Sequence, residues 1–235
     1  DGVIVTTGGE ESAVAEANVH TTTLSAPENM NTAFVAKAAN SFLGRYGHAI
    51  ARFPNNADAF LVVCGINTNG DYYNDAIETV NRGQDFTAVT DLGGVFTSTV
   101  GGRQYLGLVA LEDSTFVAFG GEKSNAPYNE VRKSINGGET WSTLRGNGGT
   151  FDIGCPVTDS LLNMWSARSN FGHAYMPGLK RILVVGGAGQ KDAWGSDDGG
   201  TCWSRLADDI GGGVMNAFQG ASLAVVTLSG VEFLV

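Results

Sequence analysis

Three arginines stand at the start of three similar strand-like segments, and they are the residues best placed to do chemistry. They are Arg45, Arg103 and Arg168. A guanidinium group binds carboxylates and other anions through several hydrogen bonds at once. If the three segments surround one axis, these side chains line a common channel mouth. We therefore expect them to bind anionic groups of a protein or glycan partner.

Other residue types that support catalysis or metal binding are sparse. Asp192, Asp197 and Asp198 form an acidic group of the kind that Ca²⁺ prefers, but only this copy of the repeat is so acidic, which disfavours a metal site. The chain has three histidines, and His48 and His173 occupy equivalent repeat positions, which favours a structural origin. No Ser-His-Asp, phosphate-loop or HExxH pattern is present. We predict no catalytic set, no metal and no cofactor.

The three cysteines differ in their surroundings. Cys64 ends the apolar run Phe60–Cys64, which predicts a buried free thiol. Cys155 and Cys202 both lie near Gly-rich turns and could form a disulfide in an oxidising compartment. The alternative, two unpaired small residues, stays open.

Each arginine opens a unit that is predicted to contain four strands. The second strand is continuously apolar and ends in glycine, which is typical of a strand buried on both faces. A more polar third strand comes next, then a short turn and a fourth strand. The predicted second strands are 59–64, 115–119 and 181–185, and the third strands are 74–77, 129–131 and 191–194.

The turn before the fourth strand carries a motif of a hydroxyl residue, Asp or Asn, Gly and an aromatic residue. The Asp or Asn accepts hydrogen bonds from backbone amides, and the glycine adopts positive φ. The hydroxyl caps the turn and the aromatic ring packs between adjacent sheets. We therefore expect a structural motif, formed by Asn81, Gly83 and Phe86, by Ser134, Asn136, Gly138, Thr140 and Trp141, and by Ser196, Asp198, Gly200 and Trp203.

This turn resembles the Asp-box (BNR repeat) of sialidases, sortilin-like receptors and many secreted propellers. Residues 134–141 depart from it only by Asn136, and residues 196–203 only by Cys202. The rest of each unit is similar to a kelch repeat, as in Gly47-His48-Ala49 and Leu183-Val184-Val185-Gly186-Gly187. The resemblance covers residues 40–235 and implies an all-β β-propeller of four-stranded blades, with about four blades' worth of chain.

The repeat divides the chain into one propeller or propeller fragment. We expect a partial blade at 1–39, blades at 40–100, 101–164 and 167–214, and a partial blade at 215–235, with an insertion at 146–166. Both ends resemble a second strand. Two explanations stay open: a fragment of a larger propeller, which we favour, or four blades closed with a duplicated strand.

Few residues of this chain match the catalytic residues of the enzymes in the families that it resembles. Sialidases require three arginines, a Tyr-Glu nucleophile pair and an Asp that acts as the acid. Their Phe/Tyr-Arg-Ile-Pro opening is missing here, and Arg52-Phe53-Pro54 matches it only weakly. Galactose-oxidase-like propellers need two His and two Tyr for copper, one Tyr crosslinked to Cys, and the histidines here do not suit that set. A sialidase-like hydrolase completed by residues elsewhere remains the alternative function.

Net charge and hydropathy limit the kinds of partner that the chain is expected to bind. The net charge of −10 and pI near 4.6 disfavour a broad basic face for nucleic acid. No apolar run reaches the about 20 residues of a membrane span. We predict a non-catalytic extracellular or cell-surface propeller that binds a protein or glycan. Self-assembly into a surface filament or sheath is a further alternative, suggested by the low charge and the 34 glycines.

Overall fold

The chain folds into antiparallel β-sheets. A computed structural model describes residues 43–90, 93–96, 101–111, 114–148, 155, 164–210, 220 and 223–234, and between residues 2 and 37 it describes only the backbone of short strands. These parts contain strands, turns and bends but no helix, so the all-β prediction is confirmed. It follows that none of them holds a helix able to span a membrane.

Five short strands precede the repeated units. Their bounds are β1 (Gly2–Thr7), β2 (Glu10–Glu11), β3 (Val14–Ala15), β4 (Val19–Leu24) and β5 (Val35–Lys37). Strands β1, β4 and β5 form one sheet in the order β1-β4-β5, and β2 pairs with β3 as a separate hairpin.

Each of the next three units forms one sheet whose neighbouring strands are antiparallel and follow chain order. Sheet I contains β6 (Ala49–Arg52), β7 (Phe60–Val63), β8 (Ala76–Thr79) and β9 (Thr87–Ala88). Sheet II contains β10 (Gln104–Ala110), β11 (Phe116–Lys123), the short β12 (Ala126–Pro127) on β11, β13 (Val131–Ser134) and β14 (Ser142–Arg145). Sheet III contains β15 (Gly172–Met176), β16 (Arg181–Val185), β17 (Ala193–Ser196) and β18 (Ser204–Ala207).

The core lies between successive sheets. Leu61 of sheet I packs in one apolar cluster with Leu108 and Trp141 of sheet II. Phe119, on the other side of sheet II, packs in a second cluster with Trp194 of sheet III. Because sheet II is covered on both faces, the buried run Phe116–Phe119 of its second strand is apolar at every position.

The third strands begin two residues later than the sequence predicts. They start at Ala76, Val131 and Ala193 rather than at 74, 129 and 191. The residue just before each of these strands is a carboxylate that turns toward an arginine instead of into the sheet face. These three carboxylates are Asp75, Glu130 and Asp192.

The first strands of successive units lie side by side. Strand β6 contacts β10, β10 contacts β15, and β15 contacts the terminal hairpin of β19 (Val225–Leu228) and β20 (Val231–Leu234). A relay of backbone hydrogen bonds links the units: Tyr105 N–H donates to Gly47 (2.7 Å), Asn170 N–H to Tyr105 (3.0 Å) and Gly220 N–H to Asn170 (2.8 Å). All four residues have positive φ, so this junction repeats from unit to unit.

Candidate functional site

Each of the three repeated arginines lies in the same local arrangement. In sheet II, Arg103 donates from one terminal nitrogen to the Gly120 carbonyl (2.9 Å) and from the other to Glu130 Oε2 (2.7 Å). Its guanidinium also lies between the rings of Phe96 and Tyr128, 3.5 and 4.4 Å from their centroids. Charge, hydrogen bonding and stacking together hold the group in place.

The other two units repeat this geometry. Arg45 donates to the Cys64 carbonyl at 2.9 Å and to both oxygens of Asp75. Arg168 donates to the Gly186 carbonyl at 2.9 Å and to both oxygens of Asp192. The arginine of every unit therefore fastens the end of its second strand to the start of its third.

All three arginine side chains are buried in the part of the chain that the structure describes. The exposed fractions are 1% for Arg45 and 0% for Arg103 and Arg168. Burial lowers the pKa of Arg103, and the neighbouring Glu130 opposes that shift. Each guanidinium meets a carboxylate of its own unit, so the described contacts bring the three into separate ion pairs rather than one anion-binding set.

The electrostatics of sheet III show how strongly the arginine acts on its partner. Burial alone would raise the pKa of Asp192, but hydrogen bonds from Arg168 and Trp194 outweigh it and lower the pKa below its ordinary value. The carboxylate is ionised at neutral pH and engaged internally. The sequence analysis missed these partners, although a carboxylate immediately before each third strand is a readable signal.

The three copies of the turn motif share the hydrogen bonds of their hydroxyl and Asp or Asn residues, and the two copies that end in tryptophan add one from the indole N–H. In sheet II the Ser134 hydroxyl donates to Asn136 Oδ1 (3.0 Å) and accepts from Gly138 N–H (2.9 Å). Asn136 Oδ1 also accepts from Thr140 N–H, and Trp141 Nε1–H donates to the Gly138 carbonyl. These four hydrogen bonds all lie inside the turn.

The other two copies keep these contacts. Thr79 donates to Asn81 and accepts from Gly83, and in sheet III Ser196 donates to Asp198 and accepts from Gly200, with lengths of 2.9 Å. The aromatic residues of the motif are all buried, namely Phe86, Trp141 and Trp203. The two tryptophans lie in the apolar clusters between sheets. The motif shapes the fold and offers no reactive group.

The acidic and histidine candidates are likewise engaged internally. Asp197 accepts two hydrogen bonds from Arg181, which lower its pKa, and Asp198 belongs to the turn. His173 Nε2 accepts from the Leu108 N–H at 3.3 Å and so joins sheet III to sheet II. Burial lowers the pKa of His173, against opposing hydrogen bonds with Phe171 and Leu108. Within the described ranges, no three His, Cys, Asp or Glu side chains cluster as metal ligands would.

The cysteines are placed as two different kinds of residue. Cys64 is a buried free thiol, and burial raises its pKa to about 12. Cys155 and Cys202 form a disulfide, with an S–S distance of 2.11 Å. That bond ties the 146–166 insertion to the turn of sheet III. Most residues of this insertion lie outside the described ranges. No side chain of residues 1–39 is described either.

An open groove runs along the first strands of the described units from sheet I to the terminal hairpin. It has a volume of about 350 Å³ and is lined by β6, β10 and β15, and by Leu223 and Val225 of the last unit. Ile50 and Arg52 are exposed on the β6 side, and His173 and Tyr175 line the β15 side. The surface of the groove is more polar than apolar, and its lining includes one cation, Arg52, and one phenol, Tyr175.

Comparison of the chain with protein-family profiles gave no match, and comparison with curated proteins gave none either. The proposal about function therefore rests on the geometry of the chain.

Proposed function

We propose that the chain is a β-propeller, or part of one, and that it acts as a non-catalytic binding module for a protein or glycan. The observation that carries the proposal is the groove shared by β6, β10, β15 and the last unit. First strands that all face one groove are expected when four-stranded sheets surround an axis. A simple linear stack would place the first and last of them far apart.

The groove, rather than the buried arginines, is the surface we propose for binding. Pockets that bind small groups combine apolar walls with a few polar groups that fix orientation. Ile50 and Leu223 supply apolar contacts, and Arg52 and Tyr175 supply polar contacts. A partner with a ring and a carboxylate or sulfate fits this combination.

The disulfide supports a location outside the cell. Disulfides persist mainly in oxidising compartments, and Cys155–Cys202 is one that the fold brings together. An extracellular or cell-surface module is consistent with a glycan or protein partner.

A sialidase-like hydrolase is the weaker alternative. Its arginine set would have to reach a substrate carboxylate, whereas Arg45, Arg103 and Arg168 are buried against carboxylates of their own units. No observation on the described residues favours that reaction.

The test is a screen of glycans and secreted proteins against the chain and two pairs of variants. Ile50→Asp and Arg52→Ala change the groove. Ile135→Asp and Arg82→Ala are matched controls, since both of those residues are exposed on turn motifs away from it.

We expect the groove variants to weaken binding at least tenfold, which corresponds to about 1.4 kcal/mol, with the controls unchanged. Equal binding by all four variants would sink the groove proposal.

A further inference from the structure

Sheet III has an apolar recess on the face that points away from sheet II. The recess has a volume of about 450 Å³ and separates sheet III from the terminal hairpin of β19 and β20. Met176, Leu183 and Leu206 line its sheet III side, and Leu223 and Leu234 line the opposite side. An exposed apolar recess of this kind marks a site where another segment or protein binds.

The corresponding face of sheet I is occupied by the turn motif of sheet II. A Cβ added to Gly138 would lie 3.0 Å from Leu61 and 3.5 Å from Val89, and one added to Gly137 would lie 3.6 Å from Phe53. The two glycines therefore rest directly on the second and fourth strands of the preceding sheet, where a side chain at Gly138 would be crowded.

The corresponding face of sheet II is occupied in the same way by sheet III. A Cβ added to Gly200 would lie 3.1 Å from Val117 and 3.5 Å from Leu144. One added to Gly199 would lie 3.5 Å from Leu111. Two independent interfaces thus show one rule: a Gly-Gly turn of the following unit sits on three apolar side chains of the sheet before it.

The three equivalent side chains of sheet III, Met176, Leu183 and Leu206, line the recess. Leu183 stands at the position of Leu61 and Val117 in the second strand. Each lies three residues before the residue whose carbonyl accepts from the arginine of its unit, namely Gly186, Cys64 and Gly120. Leu206 follows Trp203 at the same distance as Leu144 follows Trp141. Met176 is the counterpart of Phe53 and Leu111 at the end of the first strand. Leu206 is 44% exposed, whereas Leu144 and Val89 are partly buried in the clusters between sheets.

We propose that this recess is a docking site for the turn of a further unit. The occupant is a β-hairpin whose turn carries Asp or Asn, two glycines and a following aromatic residue, laid against Met176, Leu183 and Leu206. The proposal continues the two observed interfaces. It does not depend on what binds in the groove along the first strands.

The test appends a copy of residues 186–209 directly after Val235. This addition is in register, because Val235 follows Gly220 by as many residues as Val185 follows Asn170. A matched control carries the same extension with the copies of Gly199 and Gly200 replaced by leucine. The measurements are fluorescence of the dye ANS, which binds exposed apolar surface, and the thermal midpoint Tm.

The intact extension is expected to lower ANS fluorescence and to raise Tm by about 4 °C or more, and the leucine control to do neither. In the original sheet III, Leu206→Asp is expected to abolish the gain in the extended protein and to change the unextended chain little. Equal ANS fluorescence and Tm for the two extensions would overturn the proposal. So would a dimer of the unextended chain that buries Leu206, because a second copy would then be the occupant.

Discussion

Replacing Arg103 with methionine is expected to destabilise the fold strongly, because it leaves the carboxylate of Glu130 buried without its main partner. The two groups are 2.7 Å apart, with exposed side-chain fractions of 0% and 3%. The variant also removes the hydrogen bond to the Gly120 carbonyl and the cation held over Phe96.

The expected cost follows from these contacts. Removing one member of a buried ion pair costs about 3–5 kcal/mol. Arg132 stays 3.8 Å from Glu130 and retains part of the attraction, so we expect the lower end of that range, about 3 kcal/mol. The double variant Arg103→Met, Glu130→Leu removes both charges and is expected to recover much of the loss, because a matched apolar pair avoids the desolvation cost.

The assay is urea unfolding followed by tryptophan fluorescence, which yields the free energy of unfolding. The control is Arg82→Met, since Arg82 and Asp58 form an exposed pair with fractions of 51% and 42%, and we expect almost no change there. The reasoning would be refuted if Arg103→Met cost no more than Arg82→Met, or if the double variant were less stable than the single one.

Three other predictions follow from the same contacts. Gly200→Ala is expected to cost more than Gly189→Ala by urea unfolding, because both have positive φ but only Gly200 has close neighbours; equal costs would contradict the packing argument. Because burial lowers the pKa of His173 from 6.5, the unfolded state binds the proton first, so stability is expected to fall as pH drops below 6.5. His173→Gln is expected to flatten this dependence of the unfolding free energy on pH. An unchanged dependence would mean that other groups cause it. Cys155→Ser opens a disulfide with a sequence separation of 47 and is expected to cost up to about 4 kcal/mol; no loss in oxidising buffer would mean the bond does not form.

Much of the fold is readable from local patterns. The apolar runs of β7, β11 and β16 predicted strands covered on both faces, because a strand with one solvated face would alternate. The turn motif predicted its own hydrogen bonds, since hydroxyl, Asx and Gly act within a few residues of one another. Both features depend on short-range chemistry, which a single sequence carries in full.

The carboxylate before each third strand was a readable signal, but nothing local in the sequence assigned it to an arginine. An arginine at the start of a strand has the same sequence signature whether it faces solvent or a carboxylate far along the chain. Arg45 and Asp75 are separated by 30 positions, and only the fold brings them together. The relay through Tyr105 and Asn170 was missed for a related reason, since non-glycine residues seldom adopt positive φ and give no warning of it.

The most direct test of the central claim is the distance between the first strands of the first and last repeated units. Spin labels on Arg52→Cys and Val225→Cys report it by pulsed electron spin resonance, and Cys64 is buried and does not compete. Both positions line one groove, so the account predicts a single distance well below 20 Å. Sheets stacked in a line, at about 10 Å per sheet, would give about 30 Å and contradict an arrangement around an axis.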